Sequence, residues 1–139
     1  MDLETVDAAS FGRSLRGVGV NLLCRDVPAV ARFLGNCFGL SVHRLSGDFA
    51  LVRHGDALIQ LHSDATYGAH PLSGLLPENP PRGTGVQLYL FGIDPDMAVL
   101  RAEAAGGTVI EEPRAKPHGL REATILSPEG HAFSPAVPA

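Results

Sequence analysis

The residues with chemistry to offer recur at period two within four short apolar runs. Opposite Val20 and Leu22 in the run Val18–Cys24 stand Gly19, Asn21 and Leu23. The run Ala57–His62 contributes Leu58, Gln60 and His62, the run Val86–Phe91 contributes Gln87, Tyr89 and Phe91, and the last run adds Ser134. Successive strand residues point to opposite faces, so these side chains share one face if their apolar neighbours meet a helix. Apolar walls interrupted by amides, an imidazole and a phenol are the composition of a small-molecule pocket. His62 is the candidate catalytic residue, because a neutral imidazole can act as a general base, bind a ligand or coordinate a metal. A partly exposed histidine at a strand end is the alternative. Gln60 and Gln87 fit a pocket or a solvated sheet face equally, and Tyr89 and Phe91 beside Gln87 favour the pocket.

Other reactive residue types have simpler expectations. His43, His54 and His70 fall near turns or in a loop and are expected to be solvated; His118 and His131 fall in hairpin segments, His131 directly after a turn glycine and therefore structural. Cys24 shares the phase of Val20 and Leu22, so its thiol should face a helix and be inert. Neither Cys24 nor Cys37 belongs to a C-x-x-C pair, and both are expected as small core residues rather than a disulfide. Glu111-Glu112 reads as a solvated strand end, and Arg121 with Glu122 as a pair across a strand edge, worth little. No G-x-S-x-G, phosphate-loop or dinucleotide fingerprint is present.

Elements that would position these residues occur twice. In the first copy Asp26-Val27-Pro28 supplies a helix cap and an early proline. Val30, Phe33, Leu34 and Phe38 follow at helical spacing, and Gly39 supplies the stop. Short strands follow at 40–45, 49–53 and 57–62, punctuated by Ser46-Gly47-Asp48 and His54-Gly55-Asp56. In the second copy Asp94-Pro95-Asp96 repeats the cap, 97–105 reads as helix, Gly106-Gly107 ends it, and strands follow at 108–111, 123–126 and 131–134. Cap to glycine is 13 residues in both copies, and the copies are offset by 68 residues, from Asp26 to Asp94. A shared strand phase, cap, proline and terminal glycine make this an internal repeat. The chain divides into a loose N-terminal tail (1–16), a first βαβββ module (17–62), a linker that could serve as a lid (63–84) and a second βαβββ module (85–139). The linker carries Pro71, Pro77, Pro80 and Pro81 and is expected to hold neither helix nor central strand.

The repeated signature resembles the vicinal oxygen chelate superfamily, which includes glyoxalase, bleomycin-resistance and dioxygenase-like proteins. The resemblance is carried by R-D-V-P-A-V-A-R-F-L-G-N-C-F-G-L (25–40) and H-G-L-R-E-A-T-I-L-S-P-E-G-H (118–131), and it spans roughly Gly17 to Ser134. It implies an α+β fold of two tandem βαβββ modules whose curled mixed sheets form a cup with the helices outside. It also implies four metal-ligand positions in the cup, usually His or Glu, which map here to Gly19, Gln60, Gln87 and Ser134. Glycine offers no donor, and neutral amides and a hydroxyl bind divalent metals poorly. No metal or other cofactor is expected.

The functional expectation is therefore a metal-free binder of a small organic molecule, with Asn21, Gln60, His62, Gln87, Tyr89, Phe91 and Ser134 facing the ligand. The alternative is a lyase, isomerase or dioxygenase that uses an atypical metal site or His62 acid/base chemistry. A formal charge of −4 with no basic run argues against nucleic acid, and strand-sized apolar runs argue against a membrane span. The acidic start Met1-Asp2-Leu3-Glu4 is no secretion signal, so a cytoplasmic protein is expected. The resemblance adds a homodimer.

Overall fold

The computed structural model describes residues 1–77 and 81–139. Among the described residues eight strands and three α-helices run in the order α1 (Ala8–Ser14), β1 (Val20–Cys24), α2 (Val27–Phe38), β2 (Ser41–His43), β3 (Phe49–His54), β4 (Ala57–Ser63), β5 (Gly83–Phe91), α3 (Pro95–Ala102), β6 (Thr108–Ala115), β7 (Leu120–Leu126) and β8 (His131–Pro138). They form two four-stranded sheets, β1-β4-β3-β2 and β5-β8-β7-β6. In each sheet the first strand lies parallel to the last and the remaining pairs are antiparallel. The architecture is α+β, two mixed-sheet modules.

Each helix is set by the local chemistry that marks it in the sequence. The Asp26 carboxylate accepts from the Ala29 amide and the Asp94 carboxylate from the Asp96 amide, so both helices open on a side-chain cap followed by proline. Gly39 closes α2 at φ +73°, a left-handed conformation that a β-carbon penalises. One apolar core runs beneath both modules. Phe33 and Phe38 of α2 pack against each other at 5.3 Å and against Phe133 of β8 at 6.1 and 5.8 Å between ring centroids, and Leu34, Leu61, Ile125 and Ala102 join the same cluster. Gly107 lies so close to this aromatic group that a β-carbon there would fall on the Phe33 ring and within 3.0 Å of the Leu126 carbonyl. The modules are therefore packed halves of one core.

Three expectations need correction. The N-terminal segment is not a loose tail. Asp7 caps α1, Leu3 and Phe11 are buried, and they pack on Leu51, with Phe49 and Leu58 alongside. A seven-residue helix has too few turns to show a period; burial of its apolar residues against the sheet orders it. The linker holds two 3-10 turns, Asp64–Tyr67 and Pro71–Leu75, the second opening on a proline where a helical first turn tolerates one. Glu78, Asn79 and Pro80 of that segment, including one of its four prolines, lie outside the described residues. Val18, expected on the helix-facing side of β1, precedes that strand and is 95% exposed.

Candidate functional site

In the first module the register pairs Asn21 with Gln60 and Leu23 with His62, which brings the expected residues of β1 and β4 onto one face. The Asn21 amide nitrogen donates to the Tyr67 hydroxyl at 2.7 Å, and its oxygen lies 2.6 Å from His62 Nδ1. With the amide oriented in this way, its oxygen can only accept. His62 must therefore carry its proton on Nδ1 and leave the Nε2 lone pair available. Burial lowers the imidazole's pKa, in keeping with the neutral form. Phe49 and Tyr67 meet the His62 ring edge-on at 4.9 and 5.7 Å, and His70 packs against Tyr67 at 4.7 Å. Tyr67 and His70 come from the linker's turns; sequence reasoning passed over Tyr67 and expected His70 only as a solvated loop histidine. Gln60 is half-buried beside Asn21 in the register.

The second module holds a separate cluster. Gln87 of β5 donates to Ser134 of β8 at 2.8 Å, and the Ser134 hydroxyl lies 3.1 Å from that of Thr124. Tyr89 is paired with Ser134 in the register and donates its phenol proton to Glu122 at 3.1 Å. Burial, then the Glu122 carboxylate, pushes the Tyr89 pKa upward, so the phenol stays protonated. Phe91 stacks on Tyr89 with centroids 5.2 Å apart and is 58% exposed.

Glu122 overturns an expectation. It does not pair with Arg121, which instead grips Asp96 through two bonds of 2.7 and 2.8 Å. Side chains alternate along β7, so neighbours 121 and 122 leave on opposite faces. Glu122 is 2% exposed and accepts from both Tyr89 and His118, the latter at 2.8 Å. Glu111, expected to be solvated, makes an ion pair with Lys116 at 2.7 Å. Both cysteines are free and buried, and burial pushes the Cys24 thiol to about 12 and the Cys37 thiol to about 11.

Between the clusters the sheets meet along a seam. Gly19 and the residues Val20 to Leu23 of β1 face Gly83, Val86 and Leu88 of β5 across a cavity of about 360 Å³, bordered by Leu76, Arg82, His131 and Ala132. Of the expected binding residues only Asn21 lines it; Gln60, His62, Gln87, Tyr89, Phe91 and Ser134 do not. Polar clamps hold the seam. The Leu23 carbonyl accepts from Arg82 at 3.2 Å and from His131 Nε2 at 3.3 Å, and at the far end His54 Nε2 reaches the Phe91 carbonyl at 2.6 Å. His131 is buried, receives the Ser127 hydroxyl at Nδ1 at 2.8 Å, and has its pKa lowered by desolvation. Arg82 belongs to the linker in the sequence reading and was missed there. Its only signal was a basic residue among prolines.

The four family ligand positions do not suit a metal. Gly19 has no side chain, Gln60 is a neutral amide, and the Gln87 and Ser134 side chains are bonded to each other. Among the described residues no three His, Cys, Asp or Glu side chains gather in a way that could hold a metal ion. Nor is any described helix long and apolar enough to cross a membrane.

Paired βαβββ modules of this topology define the vicinal oxygen chelate class. The family model described as a glyoxalase-like domain matches residues 18–134, and the chain belongs to that family. Solved structures agree on the fold. A hypothetical protein from S. aureus superposes with a TM-score of 0.71 at 21% identity, over 92% of this chain and 98% of that one. A glyoxalase/bleomycin resistance protein/dioxygenase family enzyme from Burkholderia phytofirmans PsJN gives 0.72 at 22%, over 86% and 96%. A glyoxalase-related enzyme from Fulvimarina pelagi gives 0.69 at 21%, over 88% of each chain. No curated protein matches the sequence.

Proposed function

We propose that this protein binds a small organic molecule in the cup between its modules, without a metal ion. The observation that carries this reading is the seam cavity of about 360 Å³, apolar along β1 and β5 and edged by a few polar groups. Sites of roughly 300–1,000 Å³ with that mixture are where small ligands bind. The donor-poor set Gly19, Gln60, Gln87 and Ser134 supports the metal-free part. Asn21 stands on the cavity wall, and His62, Gln60, Gln87, Tyr89, Phe91 and Ser134 extend the polar faces on either side. In this reading 17–62 and 85–139 are the ligand-gripping modules and 63–84 is the strap between them. We place the protein in the cytoplasm as a homodimer.

The test has two parts. Elemental analysis of dialysed protein should find no stoichiometric divalent metal, and a retained equivalent would sink the metal-free reading. A thermal-shift screen of small organic compounds should then find ligands, and one present at 100 times its Kd stabilises by about 2.7 kcal/mol. Asn21→Ala should reduce the shift. Shifts unchanged in Asn21→Ala, His62→Ala and Gln87→Ala alike would put the binding site elsewhere.

One observation favours a second reading, in which the protein is a lyase or isomerase that moves a proton through His62. The hydrogen bond from Nδ1 to Asn21 leaves Nε2 as a free base inside an aromatic surround. Turnover found in a substrate screen should then disappear in His62→Gln while ligand binding remains; turnover that survives the substitution removes His62 from the chemistry.

A further inference from the structure

We propose that His118 is a nucleophile oriented by buried Glu122, and that it accepts the acyl group of aryl esters whose ring lies on Phe91 beside Tyr89. The inference concerns the second module's sheet face and does not rest on the seam cavity.

A hidden carboxylate paired with an open imidazole carries the argument. The Glu122 side chain is 3% exposed and that of His118 is 52% exposed. His118 Nε2 lies 2.8 Å from Glu122 Oε1, and the Tyr89 phenol donates to the same carboxylate. Among the described residues these are its only donors, and neither is a fixed cation. Arg121, next in sequence, is engaged with Asp96 on the other face. A carboxylate only accepts, so the neutral His118 ring holds its proton on Nε2 and keeps the lone pair on Nδ1. With Nε2 turned towards a buried group, the opposite edge of the ring, which carries Nδ1, is turned away from it. That nitrogen has no hydrogen-bond partner among the described residues. An accessible lone pair on a ring fixed by a buried acid is an oriented nucleophile.

The strand register supplies a shelf for the substrate. Phe91, Ala136 and Glu122 are successive partners across β5, β8 and β7, so Phe91 and Glu122 stand in one row, their backbones about 10 Å apart. Tyr89 bridges the gap, its ring stacked on Phe91 and its hydroxyl on Glu122. Phe91 is 58% exposed, so an apolar ring can lie against it. A phenyl ester placed there extends its carbonyl carbon along the row towards His118. The Nδ1 lone pair adds to that carbon, the C–O bond to the aryl group breaks, and the phenolate leaves with the electron pair. Glu122 takes the Nε2 proton, which leaves a neutral acyl-imidazole. Water then adds its oxygen to the acyl carbon and gives both protons to solvent. The C–N bond breaks, the carboxylate product leaves, and Glu122 returns its proton to Nε2.

The probe is p-nitrophenyl acetate, with nitrophenolate release followed on the intact protein. Long-range 15N–1H spectra of the neutral ring should show His118 protonated at Nε2 and bare at Nδ1; the reverse tautomer overturns the assignment. Acid-quenched protein should carry an acetyl group on His118, and His118→Gln, a change at an exposed position, should lower the rate to that of the other histidines. Glu122→Gln should lower kcat by about a hundredfold, the low end for a positioned proton-transfer group, and keep KM. Phe91→Ala should raise KM and keep kcat. Lys116 is the competing nucleophile two residues away, paired with Glu111 at 2.7 Å, and Lys116→Gln should leave the rate unchanged. Undiminished turnover in His118→Gln, or turnover lost in Lys116→Gln instead, overturns the nucleophile. Full kcat in Glu122→Gln overturns the positioning role, and an unmoved KM in Phe91→Ala overturns the shelf. If Glu122→Gln does not fold, the tautomer, the acetyl adduct and His118→Gln decide.

Discussion

Replacing Glu129 with alanine should remove a staple that joins the two modules across 104 residues of chain. Glu129 sits in the turn between β7 and β8 and is 6% exposed. One carboxylate oxygen accepts the Arg25 amide at 2.6 Å and the other the Asp26 amide at 3.0 Å, just where α2 begins. The Arg82 guanidinium lies 3.9 Å away. Alanine leaves two backbone donors at the module junction without partners and deprives Arg82 of one of its carboxylates. Hydrogen bonds to a charged group contribute about 1.5–3 kcal/mol each, and stripping one side of a buried pair costs about 3–5 kcal/mol. The two descriptions overlap because they concern the same carboxylate, so the expected loss is about 3–5 kcal/mol rather than their sum. With a urea slope of about 2 kcal/mol/M, the unfolding midpoint should fall by about 1.5–2.5 M. Glu129→Gln retains one acceptor and should lose about half as much. Exposed Glu112→Ala is the control and should stay within about 0.5 kcal/mol of the parent. If Glu129→Ala unfolds within about 1 kcal/mol of the parent, the staple contributes little and the argument fails.

Two further outcomes follow from contacts described above. Phe11→Ala should destabilise the protein by about 3 kcal/mol, the lower end for a buried aromatic because it belongs to the small N-terminal cluster; an unchanged urea midpoint would show that residues 1–16 behave as a tail after all. Stability should also fall with acid through His131. Its folded pKa lies below the ordinary imidazole value near 6.5, so below that pH the unfolded chain binds the proton first. The contribution is intact above about pH 6.5 and is lost as the pH drops towards the folded value. His131→Gln should flatten the slope of unfolding free energy between about pH 6.5 and 5; an equally steep slope in the variant would assign the acid sensitivity to other groups, His62 among them.

The parts of the fold legible in the sequence are those fixed locally. Asp26 with Pro28 and Asp94 with Pro95 mark helix starts because capping involves neighbours two or three residues away, and strand phase follows from alternation alone. The same alternation placed Asn21 with Gln60 and Tyr89 with Ser134 on shared faces. What escaped was set by distant partners. Phe11 forms a helix because Leu51 and Leu3 bury it. Arg82 and Glu129 look like charges in turns until the linker supplies Asp64 and the first module supplies Leu23, Arg25 and Asp26. Glu122 looked like half of a surface pair because Arg121 stands beside it, yet Tyr89, 33 residues upstream, turns it into a buried acceptor. The cup between the modules was expected from the resemblance, but most of its lining escaped for the same reason, since no local pattern reports how two sheets abut.

That abutment has a consequence for the company the protein can keep. Two four-stranded sheets expose four edges, and an open edge invites another chain to add a strand. Here β1 and β5 are end strands of their sheets, and they confront each other across the cavity. The outer edges are poor templates. β2 is three residues long, and β6 contains Pro113 and shifts register on both sides of Glu111. A chain built in this way resists indiscriminate strand addition, so a second copy would have to associate through side-chain surfaces rather than by extending a ladder.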